Sequence, residues 1–273
     1  MPLSLPPTLS TRDLYLNACR DGDLELARVL LTRGADVNWR RDKYYFYSGL
    51  HYAARFNYGD LLDLLLAQPG LEVNIRDKYN RTPLMVACGW GSENSVRKLL
   101  QVAGIKINCQ DIWGGTALQL ALENDYPGCI RILREASGLD WNLKDQNGDT
   151  PLLKAAFFGY ADCLEIILSV PEPQVDFTFT DNNGYNVAWL ALMKYAFEEE
   201  VEEEDEDPER CVELLTADPR VDWNLRDPEN GNTTLHFCLK KGLVEVAKKI
   251  FKIPTVDLNV QNDAGEFPET IAR

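Results

Sequence analysis

The feature that most limits what this chain can fold into is a repeat. Ser48, Thr82, Thr116, Thr150, Asn186, Thr233 and Phe267 head similar segments at spacings of 34, 34, 34, 36, 47 and 34 residues. The segments read SGLHYAARF, TPLMVACGW, TALQLALEN, TPLLKAAFF, NVAWLALMK and TTLHFCLKK, followed by a shorter FPETIA. An earlier segment, DLYLNACRD from Asp13, stands 35 residues before the first of them. A period of this size marks an array of small units, each of which buries its apolar face only against its neighbours. A second signature follows each anchor and ends at Asn38, Asn74, Asn108, Asn142, Asn224 and Asn259, as in LARVLLTRGADVN and VRKLLQVAGIKIN. Repeat five departs from it and ends at Phe177.

The repeated residues have physical reasons. Thr82-Pro83 and Thr150-Pro151 read as helix starts, because a threonine hydroxyl caps free amides and proline suits the first helical position. Ala53, Ala87, Ala121 and Ala155 let helices approach closely. Apolar residues at helical spacing in LARVLL and LLDLLL make a second helix. Gly34, Gly70, Gly104 and Gly138 are expected to end that helix as left-handed caps. The D-x-x-G-x-T stretches at 111–116 and 145–150 read as turns into the next helix. Each unit is thus helix, link, helix and a turn-rich loop.

This pattern resembles the ankyrin-repeat family, whose signature is TPLH-x-A with LL-x-x-GA-x-VN. The resemblance covers roughly residues 12–273. The 34-residue tetratricopeptide repeat is the structural rival, but it lacks the TPL, VN and D-x-x-G elements. The resemblance implies an all-α solenoid of helix-turn-helix units with β-hairpin-like finger loops. It places an N-terminal extension at 1–11 and a single repeat domain at 12–273. Its repeats lie near 13–41, 42–76, 77–110, 111–144, 145–180, 181–226 and 227–261, with a partial one at 262–273. It also implies that His51 and His236, at the histidine of TPLH, tie neighbouring loops together rather than act in catalysis or metal binding. The asparagines closing the second signature resemble positions that asparaginyl hydroxylase modifies in this family.

Composition narrows function. The net charge of −15 argues against nucleic-acid binding, which needs clustered cations facing phosphate. Nine of those negative charges sit at Glu198, Glu199, Glu200, Glu202, Glu203, Glu204, Asp205, Glu206 and Asp207, inside an insertion spanning about 198–209, and the remainder carries −6. The run is expected to be a solvated, solubilising loop, with a docking site for a basic protein tail as the alternative. No apolar stretch is long enough to span a membrane, and MPLSLPPTLS lacks the layout of a secretory signal. A cytoplasmic or nuclear monomer is expected. The seven cysteines include no C-x-x-C pair, and they read as small buried thiols at repeat contacts.

No catalytic constellation, P-loop, dinucleotide fingerprint or zinc spacing appears, so no enzyme activity, cofactor or metal is expected. A protein partner is expected instead. In the family, contacts come from loop positions after the aspartate and from the residues after the double alanine. Repeat two then offers Tyr44, Phe46, Arg55 and Phe56, and repeat three offers Lys78, Tyr79, Arg81 and Trp90. Ile112 and Trp113 follow in repeat four, Phe157 and Phe158 in repeat five, and Tyr185 in repeat six. Rings at exposed positions mark interaction sites, and Tyr, Trp and Arg dominate interface energies. The competing account is that several of these rings pack on neighbouring loops and stiffen them. The function expected is a scaffold gripping a partner through this groove. The alternatives are an acidic reader or chaperone of basic tails, or a regulatory fragment of a larger protein.

Overall fold

A computed structural model describes residues 10–40, 45–197 and 207–271. Among the described residues there are fifteen α-helices. They are α1 (Thr11–Asp21), α2 (Leu24–Thr32), α3 (Gly49–Arg55), α4 (Gly59–Leu66), α5 (Pro83–Gly89), α6 (Glu93–Leu100), α7 (Ala117–Glu123) and α8 (Pro127–Arg134). The second half adds α9 (Pro151–Phe158), α10 (Ala161–Leu168), α11 (Val187–Ala196), α12 (Pro208–Ala217), α13 (Thr234–Lys241), α14 (Val244–Phe251) and α15 (Pro268–Ile271). β structure among these residues is confined to an isolated antiparallel bridge between Arg40 and Ser48.

The chain forms two compact units, one up to residue 139 and one from residue 140. In each, first helices stack on first helices and second helices on second helices. In the first unit α1, α3, α5 and α7 make one layer and α2, α4, α6 and α8 the other. In the second, α9, α11, α13 and α15 make one layer and α10, α12 and α14 the other. Ala53, Ala87, Ala121 and Ala155 have no exposed surface, which lets first helices come close. Leu61, Leu62 and Leu65 of α4 are likewise fully or almost fully buried, as are Cys129, Ile130 and Leu133 of α8.

The anchors are helix caps. Ser48, Thr82, Thr116, Thr150 and Thr233 stand at the N-caps of α3, α5, α7, α9 and α13, and Asn186 at that of α11. In α3, α11 and α13 the third residue of the helix ties one repeat to the next. His51 Nδ1 accepts the Ser48 amide at 3.2 Å, and His51 Nε2 donates to the Arg81 carbonyl of the next loop at 3.1 Å. His236 repeats this with Thr233 and the Glu266 carbonyl at 3.1 and 3.0 Å. At the same position Trp189 sends its indole N–H to the Leu225 carbonyl at 2.8 Å.

The signature asparagines are staples. Asn38 donates to the Gly70 carbonyl at 2.8 Å and accepts the Glu72 amide at 2.9 Å. Asn74 does the same with Gly104 and Lys106 at 2.8 and 2.9 Å. Asn142 and Asn224 make equivalent pairs in the second unit. The glycines that accept these bonds are not the helix caps expected of them. The caps of α4, α6 and α8 are Ala67, Gln101 and Glu135, and Gly70, Gly104 and Gly138 lie three residues farther on at φ of 77°, 82° and 84°. Their left-handed backbone turns the chain so that the carbonyl meets the preceding repeat's asparagine. Gly34 does cap its helix as expected, directly after Arg33 of α2 at φ 85°, with its amide and that of Ala35 bonding the Leu31 and Leu30 carbonyls at 3.0 Å; left-handed glycines also close first helices at Gly22, Gly159 and Gly242.

Candidate functional site

The fingers are built by aspartate. Asp77 Oδ1 accepts the amides of Tyr79 and Arg81 at 2.9 and 2.8 Å, and Asp111 Oδ1 accepts those of Trp113 and Gly115 at 2.9 and 2.8 Å. Adjacent fingers are joined by backbone: the Lys78 amide donates to the Tyr45 carbonyl and the Ile112 amide to the Tyr79 carbonyl, both at 3.0 Å. The residue two before each cap takes a left-handed backbone, as Gly114 does at φ 79°. In the two preceding fingers that place is held by Asn80 at 65° and Phe46 at 60°. A bulky aromatic is strained there.

Tyr45, Tyr79 and Trp113 occupy one equivalent place on three successive fingers, three residues before the cap. Their rings form a ladder. Tyr45 and Tyr79 have centroids 6.2 Å apart, and Tyr79 stacks on Trp113 at 5.2 Å. Lys78 Nζ lies 4.8 Å from the Tyr79 centroid, and the Arg81 guanidinium lies 4.9 Å from it, held by Asp77 at 2.8 Å. Tyr45 and Trp113 remain 43% and 50% exposed, so the ladder is a partly open apolar shelf edged by cations. Ile112 and Lys78 are exposed beside it.

Tyr45 was missed from sequence. Repeat two has one extra residue in its finger, so counting forward from the aspartate selects Tyr44 and Phe46. Counting back from the cap selects Tyr45, and this was the available signal. Tyr44 lies outside the described residues. Phe46 is half-buried against Arg40, whose guanidinium is 5.1 Å from its ring, and it is not a ladder ring.

A second cluster lies where first helices end. Arg55 closes α3, and its guanidinium sits 3.8 Å from the Trp90 centroid and 5.1 Å from Phe56. Trp90 is half exposed, and Arg55 has no carboxylate partner among the described residues. The Arg55 Nε is buried without a hydrogen-bond partner.

The second unit holds the other expected residues, and they do not make such a ladder. Phe157 is exposed and meets Phe158 edge-on at 5.2 Å, while Phe158 stacks on Tyr160 at 5.4 Å. Tyr185 packs on Trp189 at 5.8 Å and its hydroxyl donates to Asp227 at 3.4 Å, so this ring stiffens two fingers. Of the acidic run, residues 198–206 lie outside the described residues. Asp207 is not part of a solvated loop: it caps α12, accepting the Arg210 amide at 2.9 Å, and Pro208 and Glu209 are already helical.

Chemically the structure offers inert groups. Burial holds His51 down at about 4 and lowers His236, so both rings stay neutral near pH 7. All seven cysteines are buried free thiols, and burial pushes Cys19, Cys129, Cys211 and Cys238 up to about 12. No group of three or more His, Cys, Asp or Glu among the described residues could hold a metal ion. No helix among them is long and apolar enough to cross a membrane.

Comparison with known proteins agrees with this geometry. The family model for ankyrin repeats matches three times, over residues 15–111, 50–145 and 98–181. The chain is 38% identical over 89 residues to the probable E3 ubiquitin-protein ligase XBOS32 of Oryza sativa subsp. japonica, covering 31% of this chain and 17% of that protein. It is 36% identical over 80 residues to the E3 ubiquitin-protein ligase XBAT32 of Arabidopsis thaliana, covering 28% and 15%. It is 35% identical over 65 residues to the SMC5-SMC6 complex localization factor protein 1 of Bos taurus, covering 24% and 6%. The chain thus spans less than a fifth of the length of these relatives. The repeated caps, staples and aspartate-built fingers, together with a family match over more than half of the sequence, place this chain in the ankyrin-repeat family.

Proposed function

We propose that this protein is a non-catalytic interaction module whose first unit grips a segment of a partner protein on the Tyr45–Tyr79–Trp113 ladder. Arg55, Phe56 and Trp90 extend the grip along the first-helix ends. The observation that carries this reading is the freedom of the ladder position. The residue three before the cap is Asn147, Asn183, Asn230 and Ala264 in later fingers, each still closed by its own aspartate or asparagine turn. The backbone therefore does not need an aromatic there. Tyr45 and Trp113, kept about half exposed on either side of the partly buried Tyr79, cost solubility, and contiguous exposed apolar surface marks a binding site. The nearby cations Lys78 and Arg55 suit a partner segment that combines apolar or aromatic side chains with a carboxylate.

The names of the relatives add a context but no activity. Their ligase names belong to proteins several times longer than the matched stretch. In such a context a module of this kind selects the protein acted upon.

The test is affinity capture with three forms of the chain: unaltered, Tyr79→Ala with Trp113→Ala, and lacking residues 198–206, which leaves the Asp207 cap of α12 in place. Helical content and melting are matched first. The expected result is a partner retained by the deletion and lost by the double substitution. A partner lost with the acidic run alone would overturn the proposal and make the chain a reader of basic tails. Binding that both forms keep would overturn it too.

A further inference from the structure

A guanidinium drawn partly out of water needs acceptors for its N–H groups. The half-buried arginines among the described residues meet this need with one exception. Arg40 and Arg76 donate to the backbone carbonyls of Arg76 and Gln110 at 2.8 and 3.2 Å. Arg81 and Arg220 meet Asp77 and Asp218 at 2.8 and 2.6 Å, and Arg210 meets Asp162 at 2.5 Å. Arg55 donates to no described residue. Its Nε is buried without a hydrogen-bond partner, while Nη1 and Nη2 stay open.

The preceding repeat shows what this place takes. Arg20 and Asp21 of α1 stand 35 residues before Arg55 and Phe56. The next two residues fix that register. Gly22 and Asn57 are both left-handed, at φ 73° and 59°, and Asp23 and Tyr58 both cap the second helix. Arg20 is met by Asp21 through Nε and Nη2, at 2.8 and 3.3 Å. One repeat on, the arginine is kept and Phe56 stands where its carboxylate would be. A clamp takes over instead. The Arg55 guanidinium lies 3.8 Å from the Trp90 centroid and 5.1 Å from that of Phe56, and these rings are 50% and 42% exposed. A guanidinium held on rings has little freedom left to lose on pairing, and its paired N–H groups match the two oxygens of a carboxylate.

We propose that Arg55 is the specificity-determining residue of the first unit's site. Through Nη1 and Nη2 it takes the side-chain carboxylate of an aspartate or glutamate in the partner segment, and Trp90 and Phe56 take the apolar residues beside that acid. This rests on the ladder reading and sharpens it. Lys78 is also present, but it is exposed on a finger, so it steers an acidic segment rather than selects one. The requirement runs against the whole chain, whose charge of −15 favours basic peptides.

The experiment selects from a random library of displayed peptides about twelve residues long, up to about 40 Å when extended, on the full chain. Recovered peptides are then synthesised with both ends capped, so that only side chains carry charge, and their binding is read by fluorescence anisotropy. They should share an aspartate or glutamate next to aromatic or aliphatic residues. Changing that acid to its amide should weaken binding about tenfold or more. On Arg55→Gln the acid and amide peptides should bind within about twofold of each other. Arg55→Lys keeps the charge without the fork and should restore only part of the preference. The Arg55 side chain donates no hydrogen bond within the described chain, so unchanged helical content and melting are expected and checked first. Peptides that need Tyr79 and Trp113 but bind equally well as acid or amide, or bind Arg55→Gln unchanged, would overturn this inference and leave the ladder reading standing. Peptides that need Arg55 and the acid but neither ladder ring would do the reverse. Recovery of basic peptides alone, or of no peptide, would also overturn it.

Discussion

Replacing His51 by glutamine separates hydrogen bonding from titration in the stack. The ring is buried without exposed surface, accepts the Ser48 amide and donates to the Arg81 carbonyl. Burial lowers its pKa from 6.5 to about 4. The folded state disfavours the charged ring, so the contribution is fully present above pH 6.5 and is lost as pH falls toward 4. Applying linkage to those two values gives a loss of about 2 kcal/mol between neutral pH and pH 5 from this residue alone. Glutamine is the informative substitute, because Gln119 holds the equivalent place in α7 and accepts the Thr116 amide at 3.0 Å through an oxygen that does not titrate. Urea unfolding followed by circular dichroism, at pH 7 and at pH 5, reads the difference. His51→Gln should be less stable than the unaltered chain at pH 7, and the gap should narrow by about 2 kcal/mol at pH 5. His51→Leu, which strands the Ser48 amide and the Arg81 carbonyl, should lose about 2–5 kcal/mol at pH 7. If the unaltered chain and His51→Gln lose stability in parallel on acidification, the ring is not held neutral by the fold and the reasoning fails.

Three further outcomes follow from particular residues. Asp149 is raised from 3.8 to about 6 by burial and then by Asp145, so its charged form opposes folding increasingly as pH rises from 3.8 through 6. Asp149→Asn should therefore stabilise the chain at pH 7, by roughly 1–2 kcal/mol in denaturant titration once solvent screening of this half-buried group is counted, and the gain should vanish near pH 4. Asn74→Ala removes the two staple bonds at 2.8 and 2.9 Å and should lower stability by about 1–3 kcal/mol, measured by the same unfolding curves. The native thiols should react with Ellman's reagent far more slowly than the same chain in denaturant, because burial keeps Cys19, Cys88, Cys129, Cys211 and Cys238 protonated at pH 8.

Much of the fold was legible because its requirements are local and repeated. A threonine followed by proline caps a helix wherever it stands, and Thr82 and Thr150 do so. The two histidines were read through a resemblance, and their bonds to Arg81 and Glu266 bear that reading out. Trp189 was not read this way, although its indole makes the same inter-repeat bond, because a tryptophan at a helix start looks like core. Gly34 caps α2 as expected, but Gly70, Gly104 and Gly138 were misplaced for a related reason. Glycine near a helix end suggests a cap, whereas here the left-handed turn exists to aim a carbonyl at an asparagine in the preceding repeat. That is a long-range requirement, invisible in one repeat alone.

The candidate site was less legible because register in the fingers is set from the cap, not from the aspartate. From Asp77 to Thr82 and from Asp111 to Thr116 the interval is five residues, and from Asp227 to Thr233 it is six. The longer finger absorbs its extra residue near the tip: the Asp227 amide still bonds the carbonyl just before the cap, at Asn232 and 2.7 Å, and Gly231 keeps the left-handed place at φ 68°. The finger before Ser48 keeps the same places, with Phe46 left-handed and the Tyr45 carbonyl accepting from Lys78. An insertion therefore leaves the ladder position fixed relative to the helix. That is why Tyr45 joins Tyr79 and Trp113 despite the longer loop. It is also why the fold can vary the rings at this place without disturbing the caps and histidine ties that hold its repeats together.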